Sequence, residues 1–416
     1  MESGIKKFVL SYLVQYKIIN NSQHGFLSRK STTTQLLECC LDWNIALNSH
    51  SCLDVIYLDY AKAFDSVVRS KLLAKLACYG INNILLTWIK NFLSGRTQFV
   101  KIAGMCSTAC SVISGVPQGS VLGPVLFILY VNDICNLVPN CVTIKLFADD
   151  TKLYSVINDS TTADCLQSCL TAISEWSDHW QLKLSPSKCT VLHVSLPKTR
   201  TASNVAYRIS GHTLPTVDSV TDLGIKYNSK LRFWPHVDSI VSKAALRSKL
   251  ILKCFYSRDP SLLVKAFCTF VRPILEYCCV IWNPMFQYEI KKIEAVQRRF
   301  TKKLRGLHNL PYSSRLTRLG LDSLHTRRVK CDLIMCYKIL NGLVCVDSDT
   351  FFTRSNTCHT RGNSVKLNKS HTISARDGNF FPNRVINAWN SLPDVVVLSS
   401  SVASFKRKLD KINLML

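Results

Sequence analysis

Apolar residues recur at helical spacing near the start of the chain, where Ile5, Phe8, Val9, Tyr12, Leu13 and Tyr16 share one face and predict a helix within residues 1–20. A polar stretch from Gln23 to Thr32 follows. It leads into a second helix carrying Leu36, Leu37, Cys40, Leu41 and Trp43, with Thr32 or Thr33 as its cap. The period then changes. Val55 to Leu58 is a continuous apolar run, the pattern of a central strand buried on both faces, and Asp59 stands at its C-terminal end. Helices are expected from about Val68 to Tyr79 and from Ile84 to Leu93, with Gly80 between them as a C-cap. Thr97 to Ile102 alternates like a strand.

Ser114 to Ser120 is rich in turn residues, and Leu122-Gly123-Pro124 opens a strongly apolar helix through Asn132-Asp133. Two short strand-like runs, Lys145–Phe147 and Thr151–Tyr154, enclose Ala148-Asp149-Asp150. Thr161 or Thr162 is placed to cap a helix with Leu166, Leu170, Ile173, Trp176 and Trp180 as its stripe, and Thr190 to Val194 reads as a strand. The second half is more helical. Between Tyr288 and Leu304 the apolar face holds Ile290, Ile293, Val296, Phe300 and Leu304, while Lys291, Lys292, Arg298, Arg299, Lys302 and Lys303 cover much of the rest. Asp347 to Asn379 is polar and without period, the signature of a long loop, and Ser399 to Ser404 enters a final basic helix.

Composition narrows the class. A hydrophobic content of 47% over 416 residues supports globular folding in two or three domains. The net charge of +25 points to a polyanionic partner. The 19 cysteines are odd in number and irregularly spaced, which predicts reduced thiols in a soluble intracellular protein, nuclear or cytoplasmic, without a zinc site. The longest apolar run, Val121 to Val131, contains Gly123-Pro124 and is too short to span a bilayer, so no membrane partner is expected.

The candidate chemistry lies in carboxylates at strand ends. Adjacent residues of a straight strand point to opposite faces, so Asp149 and Asp150 can serve one site only at a tight hairpin turn. Their mutual repulsion is relieved by a hard divalent cation, Mg²⁺ or Mn²⁺, which also accepts phosphate oxygens. Asp59, ending a buried strand, supplies the second acidic position. Together they suit a cage for two divalent ions in nucleotidyl transfer. Arg29 and Lys30, at a helix entrance, are placed to meet phosphates. Glycines on both sides let a ligand approach Gln118, which offers a donor and an acceptor.

With these residues in hand the chain resembles the reverse transcriptase of a non-LTR (LINE-type) retrotransposon of the Jockey and chicken-repeat group. The matching segments are Gln23–Thr32, Leu58–Val67, Ser114–Asp133, Phe147–Asp150, Leu184–Cys189 and Leu223–Ile225, in the family's order and approximate spacing. Val271–Tyr277, Ala295–Arg299 and Asn387–Pro393 resemble that group's C-terminal extension. The resemblance implies an α+β right-hand polymerase: fingers and palm in residues 1–225, a helical thumb in 226–310, and a basic helical extension in 311–416 that includes the polar region 347–379. It implies RNA-templated DNA synthesis on a DNA primer from dNTPs.

It also implies roles. Asp59 and Asp149 bind both metals, with Asp150 beside them and the Tyr60 carbonyl as a further ligand. Phe64, five residues after Asp59, is a steric gate against a ribose 2′-hydroxyl, where related viral RNA replicases usually carry Asp. Gln118 and Gly119 border the incoming nucleotide and template, and Leu223-Gly224-Ile225 form the primer grip. Lys188 matches a proposed proton donor to pyrophosphate, with an ordinary surface lysine as the equal alternative. Two departures stand out. The family's Tyr-Arg-Pro-Ile-Ser-like segment is not found among the residues before Gln23, and Leu27 stands where an Arg usually follows Gly-Phe; the endonuclease of full elements is expected to be absent as well. The expectation is a truncated element or gene-model fragment with an intact palm and incomplete fingers. The alternatives are a catalytically weak nucleic-acid-binding remnant and, behind it, an intron-type maturase. The template RNA, the target DNA and the oligomeric state are left open.

Overall fold

The computed structural model describes residues 1–196, 205–355, 363–369 and 371–412. Two compact units divide the chain: residues 1–35 with 50–218, and residues 36–49 with 219–416.

The first unit is built on a four-stranded antiparallel sheet of β1 (Cys52–Leu58), β2 (Thr143–Phe147), β3 (Asp150–Ile157) and β4 (Thr190–Val194), in the order β2-β3-β1-β4. The apolar run predicted as a central strand lies inside the sheet, with Leu53, Val55, Ile56 and Leu58 buried. Its register against β3 runs from Cys52 opposite Ile157 to Leu58 opposite Thr151. Asp59, the next residue, therefore arrives level with the β2–β3 turn. That antiparallel register is what brings two acidic positions ninety residues apart in sequence to one end of one sheet.

Helices cover the sheet. The unit contains α1 (Glu2–Gln15), the start of α2 (Thr32–Asn48), α3 (Arg69–Cys78), α4 (Asn83–Leu93), α5 (Gly123–Val131) and α6 (Ser160–Trp180). Helix α5 is apolar on every side and buried along nearly its whole length, as an all-round apolar helix requires. Two cap assignments change. Ser31 rather than Thr32 or Thr33 caps α2, its hydroxyl accepting from Thr34 N (3.2 Å) while Thr34 Oγ1 accepts from Ser31 N (2.8 Å). Asp159 rather than Thr161 or Thr162 caps α6, in a capping box with Thr162. Both changes favour a reciprocal pair over a single hydroxyl.

The strand expected over Thr97–Ile102 is broken. Thr97–Gln98 pairs with Cys110–Ser111, and Lys101–Ile102 pairs with Met105–Cys106, leaving Phe99, Val100, Ile102, Met105 and Ile113 exposed. Lys75 of α3 is buried, against the usual exposure of helical lysines. Its ammonium lies 3.6 Å from the centre of the Trp180 ring and is flanked by the Tyr130 and Trp176 rings, while it donates to Asp133 and to the Tyr130 carbonyl. Cys141 and Cys165 form a disulfide with their Cα atoms 7.2 Å apart, which departs from the all-thiol expectation; the other described cysteines are free.

The second unit opens with a hairpin of β5 (Ser219–Asp222) and β6 (Ile225–Asn228) and continues in helices α7 (Trp234–Cys254), α8 (Pro260–Phe270), α9 (Gln287–Lys302), α10 (Tyr312–Leu319), α11 (Leu324–Leu340), α12 (Phe381–Asn390) and α13 (Val402–Leu409). Arg384 of α12, partly buried, grips the buried Asp332 of α11 through two 2.8 Å hydrogen bonds, a geometry that offsets the desolvation of both charges. The polar region 347–379 is less bare than its pattern implied. It contains two short helices, Ser348–Phe351 and Ala375–Asn379, and its backbone is stitched to α12. Trp389 Nε1 donates to the Val365 carbonyl (2.8 Å), and Asn390 both accepts from Leu367 N (2.9 Å) and donates to the Leu367 carbonyl (2.8 Å). Residues 356–362 and 370 of that region lie outside the described residues. Among the described residues no helix is long and apolar enough to cross a membrane.

Candidate active site

The first unit gathers its chemistry at the sheet end where β1 stops. Ala148 and Asp149 form a two-residue turn between Phe147 and Asp150, which face each other across β2 and β3. Ala148 takes the left-handed conformation (φ 58°) that such a turn demands. Asp149 is half-buried and Asp150 is exposed at the first position of β3. Burial, and after it the charge of Asp59, push the Asp149 carboxyl pKa above the usual carboxylate range, with a backbone hydrogen bond opposing them.

Asp59 is anchored by its main chain. Its N–H points at Cys189 Sγ (3.4 Å) and its carbonyl accepts from Ser185 N (2.8 Å), so the Leu184–Cys189 turn is pinned beside it. Asp59 Oδ2 is sealed from solvent and receives no hydrogen bond, and the exposed Lys188 ammonium stands 3.5 Å from it. The backbone of Tyr60 bridges to Leu184, and burial raises its hydroxyl pKa. No group of three or more His, Cys, Asp or Glu among the described residues is arranged to hold a metal ion. The donors that do converge, two repelling carboxylates with one unbonded buried oxygen, still have the hard-oxygen chemistry a divalent cation takes.

The loop after β1 and the Ser114–Ser120 loop are laced together. Val116 N donates to the Phe64 carbonyl (3.0 Å), and Ser114 Oγ donates to the Asp65 carbonyl (2.8 Å). Arg69 donates to the carbonyls of Ser114 and Gly115 (3.1 and 3.2 Å). Gly115, at φ 81°, sits so close that a Cβ would lie 2.8 Å from Asp65 Cα, so no side chain fits. This lacing places Gln118 against Asp65 (Nε2 to Oδ1, 2.8 Å), with Gly119 next to it at φ 81°. Phe64 stacks on Phe127 with ring centres 4.2 Å apart and meets Phe26 edge-on at 6.3 Å.

The polar segment after α1 belongs to the same assembly. His24 N donates to the Leu146 carbonyl (2.7 Å) and Leu146 N donates to the Ser22 carbonyl (2.9 Å), a short parallel pairing beside β2. Lys30 is drawn into this segment, donating to the carbonyls of Asn21 and Gln23 (2.6 and 2.9 Å), while Arg29 is exposed at φ 63°. Sequence reasoning missed the parts of Gln23, Asp65 and Arg69, whose partners lie too far along the chain to leave a local pattern.

The remaining expected residues fall in the second unit, which is described by itself. Leu223-Gly224 is the β5–β6 turn (φ 45° and 83°), the Leu223 carbonyl accepts from Tyr277 Oη (3.1 Å), and Ile225 is buried. All six basic residues of the α9 region, Lys291, Lys292, Arg298, Arg299, Lys302 and Lys303, are exposed. Two of them have partners: Lys292 pairs with Asp238, and the Arg298 guanidinium lies 5.0 Å from the centre of the Tyr312 ring.

Residues 4–227 match the family model described as reverse transcriptase (RNA-dependent DNA polymerase), which is more than half of the chain. The chain belongs to the reverse transcriptase family. The resemblance to non-LTR retrotransposon enzymes and the α+β right-hand polymerase class both hold. A probable RNA-directed DNA polymerase from transposon BS of Drosophila melanogaster is 26% identical over 76% of this chain and 35% of the relative. The corresponding X-element protein of the same organism is 28% identical over 72% of this chain and 33% of the relative. The RNA-directed DNA polymerase from its mobile element jockey is 26% identical over 70% of this chain and 32% of the relative. The chain spans about a third of the length of these relatives. Dependence on a divalent metal is general in the reverse transcriptase family.

Proposed function

We propose that this chain is an RNA-directed DNA polymerase that extends a DNA primer with dNTPs on an RNA template, using Mg²⁺, with Mn²⁺ as a substitute. The observation that carries this reading is the approach of Asp59 and Asp149 at one end of an antiparallel sheet, close enough for the charge of one to raise the pKa of the other. Asp59 and Asp149 hold the metal, with Asp150 and the Tyr60 carbonyl at its edge. When bound, the divalent metal lowers the pKa of the primer 3′-hydroxyl and neutralises phosphate charge. The chain's own residues do the rest. The Phe64 ring closes the space a ribose 2′-hydroxyl needs. Gln118 and Gly119 border nucleotide and template, and Arg29, with Lys30 bracing its loop, faces the triphosphate. Lys188, 3.5 Å from Asp59, is placed to give a proton to pyrophosphate. In the second unit, Leu223-Gly224-Ile225 grip the primer, the helices within 226–310 form the thumb, and the basic face of α9 meets the nucleic-acid backbone.

The test is primer extension on poly(rA)/oligo(dT) with Mg²⁺, comparing the chain with Asp149→Ala. Incorporation of dTTP is expected from the parent chain and none from the variant. Incorporation that survives the substitution overturns the metal-site assignment. Binding of template without incorporation by either protein leaves a nucleic-acid-binding remnant.

A further inference from the structure

The turn that carries Asp149 is an unfavourable one by its own sequence. Tight two-residue turns of this kind favour Asn-Gly or Asp-Gly, because the first position must adopt positive φ. Here that position is Ala148 at φ 58°, a residue with no side-chain polar group to steady it. Something outside the hairpin must hold it.

We propose that Gln23 is a positioning residue for the metal-binding turn: its carboxamide oxygen fixes the backbone of Ala148 and so aims Asp149 toward Asp59. The part about metal rests on the polymerase reading above; the part about the turn does not. Gln23 is 1% exposed, and its Oε1 accepts from Gly25 N at 2.7 Å and from Ala148 N at 2.9 Å. Without that oxygen the Ala148 N–H faces the interior with no acceptor from the hairpin. Two backbone donors on one oxygen settle which way the amide points, since Nε2 cannot accept. Nε2 is buried with no partner, so the acceptor alone accounts for a buried amide at this position. Gly25 makes the approach possible. A Cβ there would lie 2.6 Å from Ala148 N and 3.1 Å from the Phe147 carbonyl carbon. The pairing of Ser22 and His24 with Leu146 sets the register of the contact, and the Lys30 ammonium, on the carbonyls of Asn21 and Gln23, ties the loop behind it.

Two variants and two readouts test this on the full chain. Gln23→Met keeps the length and burial of the side chain and removes the acceptor. Gln23→Glu keeps the acceptor. Amide hydrogen exchange over the segment Ile144–Thr151 reads the turn without needing activity. The Met variant is expected to lose protection there, and the Glu variant to keep it. In primer extension the Met variant is expected to lose about 10- to 100-fold in kcat, as for a displaced reacting group, with KM for dTTP little changed and the Mg²⁺ midpoint raised. Unchanged exchange in Gln23→Met overturns the proposal, as does a rate loss with full protection of the turn. If the Met variant fails to fold, Gln23→Leu, which also removes the acceptor, is read in its place: full protection of the turn in that variant overturns the proposal. An inactive parent chain counts against the polymerase reading only, because the exchange comparison still decides whether Gln23 holds the turn.

Discussion

Phe64 shows how much of a residue's role is set by what holds it. Its ring is stacked on Phe127 and braced by Phe26, and its carbonyl is tied to Val116. A ring held from two sides is a fixed wall, and under the polymerase proposal that wall would discriminate between sugars by sterics. Phe64→Val keeps the backbone bond and removes most of the wall. The ratio of kcat/KM for dTTP over UTP on poly(rA)/oligo(dT) is expected to fall roughly 10- to 200-fold, as for contacts worth a methylene or more. An unchanged ratio would remove Phe64 from the role. The position of Phe64 was legible in the sequence as an offset from Asp59; its two aromatic supports, 38 and 63 residues away in the chain, were not. Lys188 divides in the same way. Sequence left it as either a proton donor or a surface lysine, and the fold stands its ammonium 3.5 Å from Asp59.

Elements were legible where a local period or an abrupt change of pattern marked them. The apolar run of β1 ending in an acid, and the acidic turn between two short strands, needed only neighbouring residues to be read. The caps of α2 and α6 were misplaced by one to three residues because several hydroxyls in a row offer similar local fits. The choice between them is made by a reciprocal partner three residues on. Helix α3 hid more, since a lysine on an amphipathic helix ordinarily reads as solvated. Burial holds the Lys75 ammonium down at a pKa of about 8, against Asp133, which supports its charge. The unfolded chain therefore binds more protons than the folded one between about pH 8 and the ordinary lysine value near 10.4, so this group adds stability as pH rises through that window. Below pH 8 the full cost of keeping the charge buried remains. Buried thiols such as Cys135, pushed up to about 12, act in the opposite direction. The difference between proteins isolates Lys75. Urea unfolding at pH 7.5 and 9.5 should show the parent chain gaining stability relative to Lys75→Met across this interval, by on the order of 1–2 kcal/mol. No difference in the pH dependence of the two would mean that Lys75 is not perturbed.

At the scale of the molecule, charge is the most readable property and fold assignment the least local. A net charge of +25 needed no structure to suggest a polyanion. The exposure of Lys291, Arg299 and Lys302 on α9 converts that balance into a measurable slope. Binding of a fluorescent RNA–DNA hybrid should weaken with salt, and the triple substitution of these three residues by Gln should flatten the log–log slope by about 2 to 3. An unchanged slope would leave α9 off the backbone. The link that sequence could not show is the one from Gln23 to Ala148, 125 residues long and invisible to any window of periodicity. That separation also has a history in time. During synthesis at about 5–20 residues per second, Gln23 emerges some 6–25 seconds before the alanine it must meet. The strands it will brace do not yet exist when it is made. The turn is braced only once residues 143–157 have followed, by a segment that has waited since the start. Chains released before β3 is complete would carry the brace with nothing to hold.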